Sequence, residues 1–223
     1  MNRDGEGHDG VFVVFEGIDG AGTTTQAERY AIHQRGRRRF VHVTREPSSG
    51  PIGALIRSVL IERVSLPSAS QAEIMTLLFA ADRLDHVDVE VAPHLREGSI
   101  VISDRYDLSS LAYQSCTAAG ARDPASVIDW IRQCNRHARR PDVTVVLDTS
   151  PEIAAARRRL RGGAREIFDD LELQARLAQA YRRAEQLVPG DRVIHVSGDA
   201  EIEAVTQAII AALEPFIDDP PPI

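Results

Sequence analysis

The residues Gly17-Ile18-Asp19-Gly20-Ala21-Gly22-Thr23-Thr24-Thr25 have the types and spacing of a loop that wraps a phosphate chain. The pattern G-x-x-x-x-G-K-S/T is met at Gly17, Gly22 and Thr24, and Thr23 stands where the lysine belongs. The glycines permit a tight turn whose backbone N–H groups point inward. A helix opening at Thr23 adds its positive N-terminal end. Thr24 is placed to hold Mg2+ through its hydroxyl. The lysine of this pattern is the group that reaches the β- and γ-phosphates, so the loop lacks one cation. The chain has no lysine at all; its 26 basic residues are all arginine. Drift in composition explains arginine for lysine elsewhere, but not threonine at position 23. A Gly-rich strand-to-helix turn that binds nothing is the plain alternative.

Three further groups carry candidate chemistry. In Asp104-Arg105-Tyr106 the carboxylate can reach a Mg2+ shell through water, and the guanidinium offers a planar fork for a phosphate. Standing alone, the pair would read as a surface ion pair. Phe79 and Arg83 lie four apart, on one helix face, where a ring and a planar donor can hold a base. Taken alone, Phe79 reads first as core. Arg157, Arg158, Arg159, Arg161 and Arg165 form the densest positive run, with Gly162-Gly163 as a hinge. A mobile basic lid over transferring phosphates fits this run, although such runs usually make a solvated face. The histidines show no metal spacing, and Trp130 and Cys134 read as core.

The elements that must position these residues alternate along the chain. Apolar runs at Val11–Phe15, Phe40–Thr44, Ile100–Ile102, Val143–Leu147 and Val193–Val196 predict five strands. Between them, helices are expected over 23–34, 52–61, 71–96, 109–119, 124–137, 151–160, 168–187 and 201–216. The long helix at 71–96 carries an apolar stripe at Ile74, Leu77, Leu78, Ala81 and Leu84. The alternation predicts an α/β, three-layer fold with a five-stranded parallel sheet covered by helices. In such sheets ligands sit beyond the carboxyl ends of the strands. Gly17–Thr25, Arg45-Glu46, Asp104-Arg105 and Asp148 with the arginine run all fall there, so four segments converge on one rim.

A chain of 223 residues fits one domain, or one domain with a lid. The net charge of −7 gives no global attraction for nucleic acid or anionic membrane. Residues 1–10 are polar and show no secretion signal, and two unpatterned cysteines suit a reducing, cytoplasmic compartment. Residues 1–10 and 217–223 are expected to be frayed tails.

Several segments, in order, resemble thymidylate kinases: Phe15–Gly22, Thr44-Arg45-Glu46-Pro47, Leu78–Arg83, Asp104-Arg105-Tyr106 with Ser109 and Ala112-Tyr113-Gln114, Pro141-Asp142 before Leu147-Asp148, and Arg165-Glu166 with Phe168. The resemblance covers about Val11 to Phe216. It implies a P-loop NTPase-type nucleoside monophosphate kinase domain over 11–216, with a short lid at about 157–168. It further implies transfer from ATP to thymidine 5′-monophosphate with Mg2+, and a homodimer. By position, Asp19 would face the sugar and the acceptor phosphate, and Arg105 would bind that phosphate, with Arg57 a second candidate. Phe79 would stack on thymine and Arg83 would bond its carbonyl edge, while Ser110, Tyr113 and Gln114 line the pocket. Thr24 and Asp104 would serve the metal. The loop has no arginine at Gly20-Ala21, which resembles the bacterial style in which lid arginines, here Arg157, Arg161 or Arg165, supply charge. Two other outcomes stay open: a nucleotide-binding protein without catalysis, and a kinase for another nucleoside monophosphate.

Overall fold

The five apolar runs form five strands: β1 (Phe12–Gly17), β2 (Val41–Arg45), β3 (Ile100–Asp104), β4 (Val143–Asp148) and β5 (Val193–Ser197). They pair in the order β2-β3-β1-β4-β5, and every pairing is parallel. The structure is a computed structural model that describes residues 10–118, 123–161 and 170–218. The helices are α1 (Thr23–Gly36), α2 (Pro51–Leu60), α3 (Gln71–His86), α4 (Ala92–Arg96), α5 (Asp107–Ala118), α6 (Pro124–Asn135), α7 (Pro151–Arg161), α8 (Leu171–Tyr181), α9 (Ala184–Leu187) and α10 (Ile202–Asp218).

Alternation along β1 divides the layers. Phe15 points to one face, where its ring meets Tyr30 of α1 at 6.1 Å, and α1 in turn packs on α10. Phe12 and Glu16 point to the other, where Phe12 meets Tyr106 edge-on at 5.1 Å and Glu16 bonds Ser109 of α5. All six residues of β1 are buried, as a central parallel strand requires. Because β1 leads left to β2 and β3 leads right to β4, the chain reverses direction around β1. The crevice at such a switch point is where open α/β sheets bind ligands.

Several elements differ from the sequence reading: the helix expected over 168–187 is, among the described residues, divided into α8 and α9. The helix expected over 71–96 is interrupted by a π-helical turn at Val87–Val91. Its expected stripe is split: Ile74 and Leu78 are half-buried, Leu78 packing on Ile56, Val59 and Met75, while Leu77 and Leu84 are 54 % and 37 % exposed and Ala81 is exposed too. The buried face instead carries Met75, Thr76, Ala80, Asp82, Arg83 and His86. Its charged groups have partners waiting inside: Asp82 accepts from Ser48 N at 2.7 Å, and Arg83 donates to Glu46 at 2.6 Å. A satisfied polar face can be buried in place of an apolar one. Finally, α10 runs past Phe216 to Asp218, because Ile217 is buried in the core. Likewise Gly10 is already tied down, its N–H donating to Leu95 O at 2.7 Å. Among the described residues, no helix is long and apolar enough to cross a membrane.

Candidate active site

The loop between β1 and α1 is shaped by its glycines. Gly20 and Gly22 hold φ of 88° and 99°, a region that costs a side-chain-bearing residue strain. Gly20 is also needed for space, since a Cβ there would lie 2.4 Å from Ala154 O of α7. Gly22 precedes α1 and offers no side-chain cap, so the first N–H groups of the helix remain for an anion. Thr23 opens α1 and is buried, with its methyl 3.4 Å from where a Gly17 Cβ would be. Thr24 and Thr25 are exposed.

This loop lines a cavity of about 370 Å³ together with Asp104, Arg105, Arg157 and Arg158. The far wall comes from the β5–α10 junction: Gly198, Ala200, Ile202 and Val205. The Thr24 hydroxyl donates to Asp104 Oδ2. Asp104 Oδ1 is buried without a partner among the described residues. Arg157 spans the cavity edge, donating to Ala21 O at 3.2 Å, Gly198 O at 2.9 Å and Ala200 O at 3.5 Å. Arg158 donates to the main-chain carbonyl of Asp19.

A second cavity, about 130 Å³, lies between α3, α5 and the loop after β2. Its lining includes Pro47, Phe79, Arg83, Tyr106, Ser109, Ser110, Tyr113 and Gln114. Asp19 and Arg105 line both cavities, so the two meet there. Arg105 has a φ of 76°, which turns its side chain back over β1. It donates to Asp19 Oδ1 at 2.6 Å, Gly17 O at 2.7 Å and Tyr181 OH at 3.1 Å, and its guanidinium lies 5.4 Å from the centre of the Tyr113 ring. Burial alone would lower its pKa, but Tyr113, Asp19, Tyr181 and Glu16 around it outweigh that and raise it, so the charge is locked.

Arg83 is held from three sides. It donates to Glu46 Oε2 at 2.6 Å, to Ser110 Oγ at 3.2 Å and to Asn135 Oδ1. Glu46 continues to His86 Nδ1 at 3.3 Å, and His86 Nε2 meets Thr44 Oγ1 at 2.7 Å. Arg83 and Glu46 are 1 % and 2 % exposed at the side chain, so this is a fully buried ion pair. The Arg83 Nε is buried without a partner among the described residues.

Beneath the junction sits Glu16, which the sequence reading noted only as part of a motif. It accepts from Tyr106 N at 2.8 Å, Ser109 N at 3.1 Å, Ser109 Oγ at 2.6 Å and Tyr181 OH at 3.1 Å. Burial pushes its carboxyl up to about 7, although Arg105 and these hydrogen bonds pull the other way. Its cue in sequence was a carboxylate within an apolar strand, an expensive residue unless it has work there.

The structure brings Asp19, Phe79, Arg83, Arg105, Ser110, Tyr113 and Gln114 to one cavity and Gly20–Thr25 with Asp104 to the other. Gly17 bounds them, its carbonyl accepting from Arg105. Arg57 is apart from both: it is exposed and donates to Pro47 O at 3.0 Å, bracing the loop after β2. Asp148 lines neither of these two cavities; its Oδ2 accepts from His195 Nδ1 at 2.9 Å. Arg161 ends α7 with no described side chain, and Arg165, Glu166 and Phe168 lie outside the described residues. The wall at Gly198–Val205 was missed because small and aliphatic residues carry no chemical signal in sequence.

A thymidylate kinase family profile matches residues 15–209. A probable thymidylate kinase of Pyrococcus horikoshii is 35 % identical over 206 residues, spanning 92 % of this chain and 96 % of that protein. One of Pyrobaculum aerophilum is 41 % identical over 181 residues, 80 % and 86 % of the two chains. The thymidylate kinase of Rhodopseudomonas palustris is 35 % identical over 210 residues, 92 % and 89 % of the two. With its parallel sheet, its phosphate loop at the switch point and two cavities meeting at Asp19 and Arg105, the chain belongs to the thymidylate kinase family.

Proposed function

We propose that this protein transfers the γ-phosphoryl group of ATP to thymidine 5′-monophosphate, giving ADP and thymidine 5′-diphosphate. The observation that carries this is the shared wall: Asp19 and Arg105 line both cavities, so phosphates bound on either side meet there. An oxygen of the acceptor phosphate attacks the γ-phosphorus, and the bond to the β,γ-bridging oxygen breaks. No covalent help from the protein is needed; position and charge do the work.

In this reading Arg105 holds the acceptor phosphate, and Asp19 fixes Arg105 and faces the sugar. Phe79 stacks on thymine. The Arg83 Nε–H, without a partner among the described residues, faces the carbonyl edge, and Ser110, Tyr113 and Gln114 close the pocket. Gly17–Thr25 wraps the donor phosphates. The orphaned Asp104 Oδ1 beside the Thr24 hydroxyl suits Mg2+, which favours oxygen ligands. Thr24 and Asp104 would hold the ion, which when bound would supply positive charge against the β- and γ-phosphates. Thr23 occupies the lysine position, so cations from α7 and the lid supply the rest, the lid-arginine style. The exposed Leu77, Ala81 and Leu84, beside exposed Leu55 of the adjacent α2, support a homodimer that covers this apolar face. Free Cys116 and Cys134 support a cytoplasmic setting.

Steady-state turnover with ATP and Mg2+ against thymidine, uridine, cytidine and guanosine monophosphates tests the assignment. The expected result is a kcat of about 1–100 per second with thymidine 5′-monophosphate, and lower kcat/KM with the others. Folded protein that turns over none of them overturns it. Tight nucleotide binding without turnover would favour a binding protein instead.

A further inference from the structure

We infer that His86 is a specificity-determining residue of the acceptor pocket, a positioning residue that holds Glu46 in place for Arg83. The inference rests on the acceptor-site reading above, in which Arg83 faces the carbonyl edge of thymine. His86 lies three residues after Arg83 on the buried face of α3, and its side chain is fully buried. Glu46 stands between the two. Its Oε2 accepts from Arg83 at 2.6 Å, and its Oε1 meets His86 Nδ1 at 3.3 Å. The lining of the base cavity includes Glu46 and Arg83 but not His86. An imidazole that never touches the base can therefore act on it through Glu46.

Hydrogen-bond roles fix the imidazole. The Glu46 carboxylate, ion-paired with Arg83, can only accept, so His86 Nδ1 must carry a proton. At the other nitrogen, Thr44 Oγ1 lies 2.7 Å from Nε2, and a hydroxyl serves there as donor or acceptor. The tautomer is thus decided on the Glu46 side. Glu90, from the π-helical turn, lies 3.6 Å from the same Nε2, beyond hydrogen-bond reach, and is itself held by His42 Nε2 at 2.8 Å. With Oε1 on His86 and Oε2 on Arg83, neither oxygen of Glu46 is left for a ligand. The Arg83 Nε–H then meets the base as a donor, which suits the 4-carbonyl of thymine. Without the Nδ1 donor, Oε1 becomes an unpaired acceptor in the wall of the base cavity. That acceptor repels a carbonyl and suits the 4-amino group of cytosine. Ser110 Oγ and Asn135 Oδ1 also hold Arg83, so the pocket survives the change while its preference moves.

The test compares His86→Gln with His86→Asn. The Asn amide sits where Nδ1 was and keeps the donor to Glu46; the Gln amide reaches the Nε2 position and loses it. His86→Gln is expected to lower the preference for thymidine over deoxycytidine monophosphate, as a ratio of kcat/KM, by about tenfold, the size of one hydrogen bond. The loss should lie in KM, with kcat for thymidine 5′-monophosphate within about threefold of wild type. His86→Asn should keep the ratio within about threefold. An unchanged ratio in His86→Gln overturns the inference. So does an equal loss in both variants, because packing rather than the donor would then be at work. Nitrogen NMR of the imidazoles in the free wild-type protein is expected to show His86 Nδ1 protonated. A bare Nδ1 overturns the inference even where neither variant folds. Calorimetric titration with the two nucleotides keeps this apart from the function itself. If wild type turns over no substrate, the proposed function fails, yet the same shift of about tenfold in the ratio of Kd values still decides His86. Wild type that binds neither nucleotide overturns both.

Discussion

On the acceptor side the arginines face carboxylates: Arg83 meets Glu46 and Arg105 meets Asp19, both at 2.6 Å. On the donor side Arg157 is held by the carbonyl oxygens of Ala21, Gly198 and Ala200. The two arrangements do different things with the same guanidinium. A carboxylate fixes the plane and offsets the charge, which at Arg83 suits recognition of a neutral base by position and at Arg105 aims the guanidinium at the wall both cavities share. A carbonyl orients the group and leaves the charge, which suits a cavity meant for a polyphosphate. The missing lysine falls on the side where cations keep their charge, and the side built of paired charges is complete.

The comparison breaks most sharply at Glu46. Glu46→Ala leaves Arg83 buried with an uncompensated charge, and removing one partner of a buried pair costs about 3–5 kcal/mol. Chemical denaturation should show a loss of that size, together with a raised KM for thymidine 5′-monophosphate. A loss below about 1 kcal/mol, the range of exposed pairs, would mean Asn135 and Ser110 hold Arg83 unaided.

Much of this was legible in the sequence, for identifiable reasons. β1 to β5 announce themselves as continuous apolar runs because both faces of a central parallel strand are buried. The loop is legible because glycine spacing is a backbone requirement. The face of α3 was read only in part, since the stripe found by periodicity includes half-buried Ile74 and Leu78 but also exposed Leu77, Ala81 and Leu84. Asp82, Arg83 and His86 turn inward because Ser48 and Glu46, over thirty positions earlier, satisfy them. No local pattern encodes that. Glu16 and the Gly198–Val205 wall were hidden for the same reason: their roles are set by what packs on them.

Glu16 sharpens the comparison, because it lies beneath the wall that both cavities share. Its carboxyl is raised from an ordinary 4.5 to about 7, chiefly by burial. The folded chain therefore holds this proton more tightly than the unfolded chain. That contribution is fully present below about pH 4.5 and is lost as pH rises through about 7. Gln does not titrate, so the stability of wild type relative to Glu16→Gln should fall by about 3 kcal/mol across this window. Denaturation curves for both proteins at intervals from pH 4.5 to 8 measure it. A difference that stays flat would mean Glu16 ionises freely, its four donors and Arg105 having offset burial.

The smallest effect is expected at Arg157, and it decides whether the donor side is held as described. Arg157 is half-buried and its partners are neutral carbonyls at a cavity edge, which water can reach when the side chain is removed. A net hydrogen bond is worth about 0.5–1.5 kcal/mol, and solvated carbonyls recover part of it. Arg157→Ala should therefore cost about 1 kcal/mol in stability, well short of the Glu46 variant. The loop and the β5–α10 junction lose their tie, so the KM for ATP should rise several-fold while that for thymidine 5′-monophosphate stays put. If Arg157→Ala destabilises as much as Glu46→Ala, carbonyl-held and carboxylate-held arginines are equivalent here. If it leaves the ATP KM unchanged, the junction is no wall of the donor site, and the charge kept on that side serves something other than ATP.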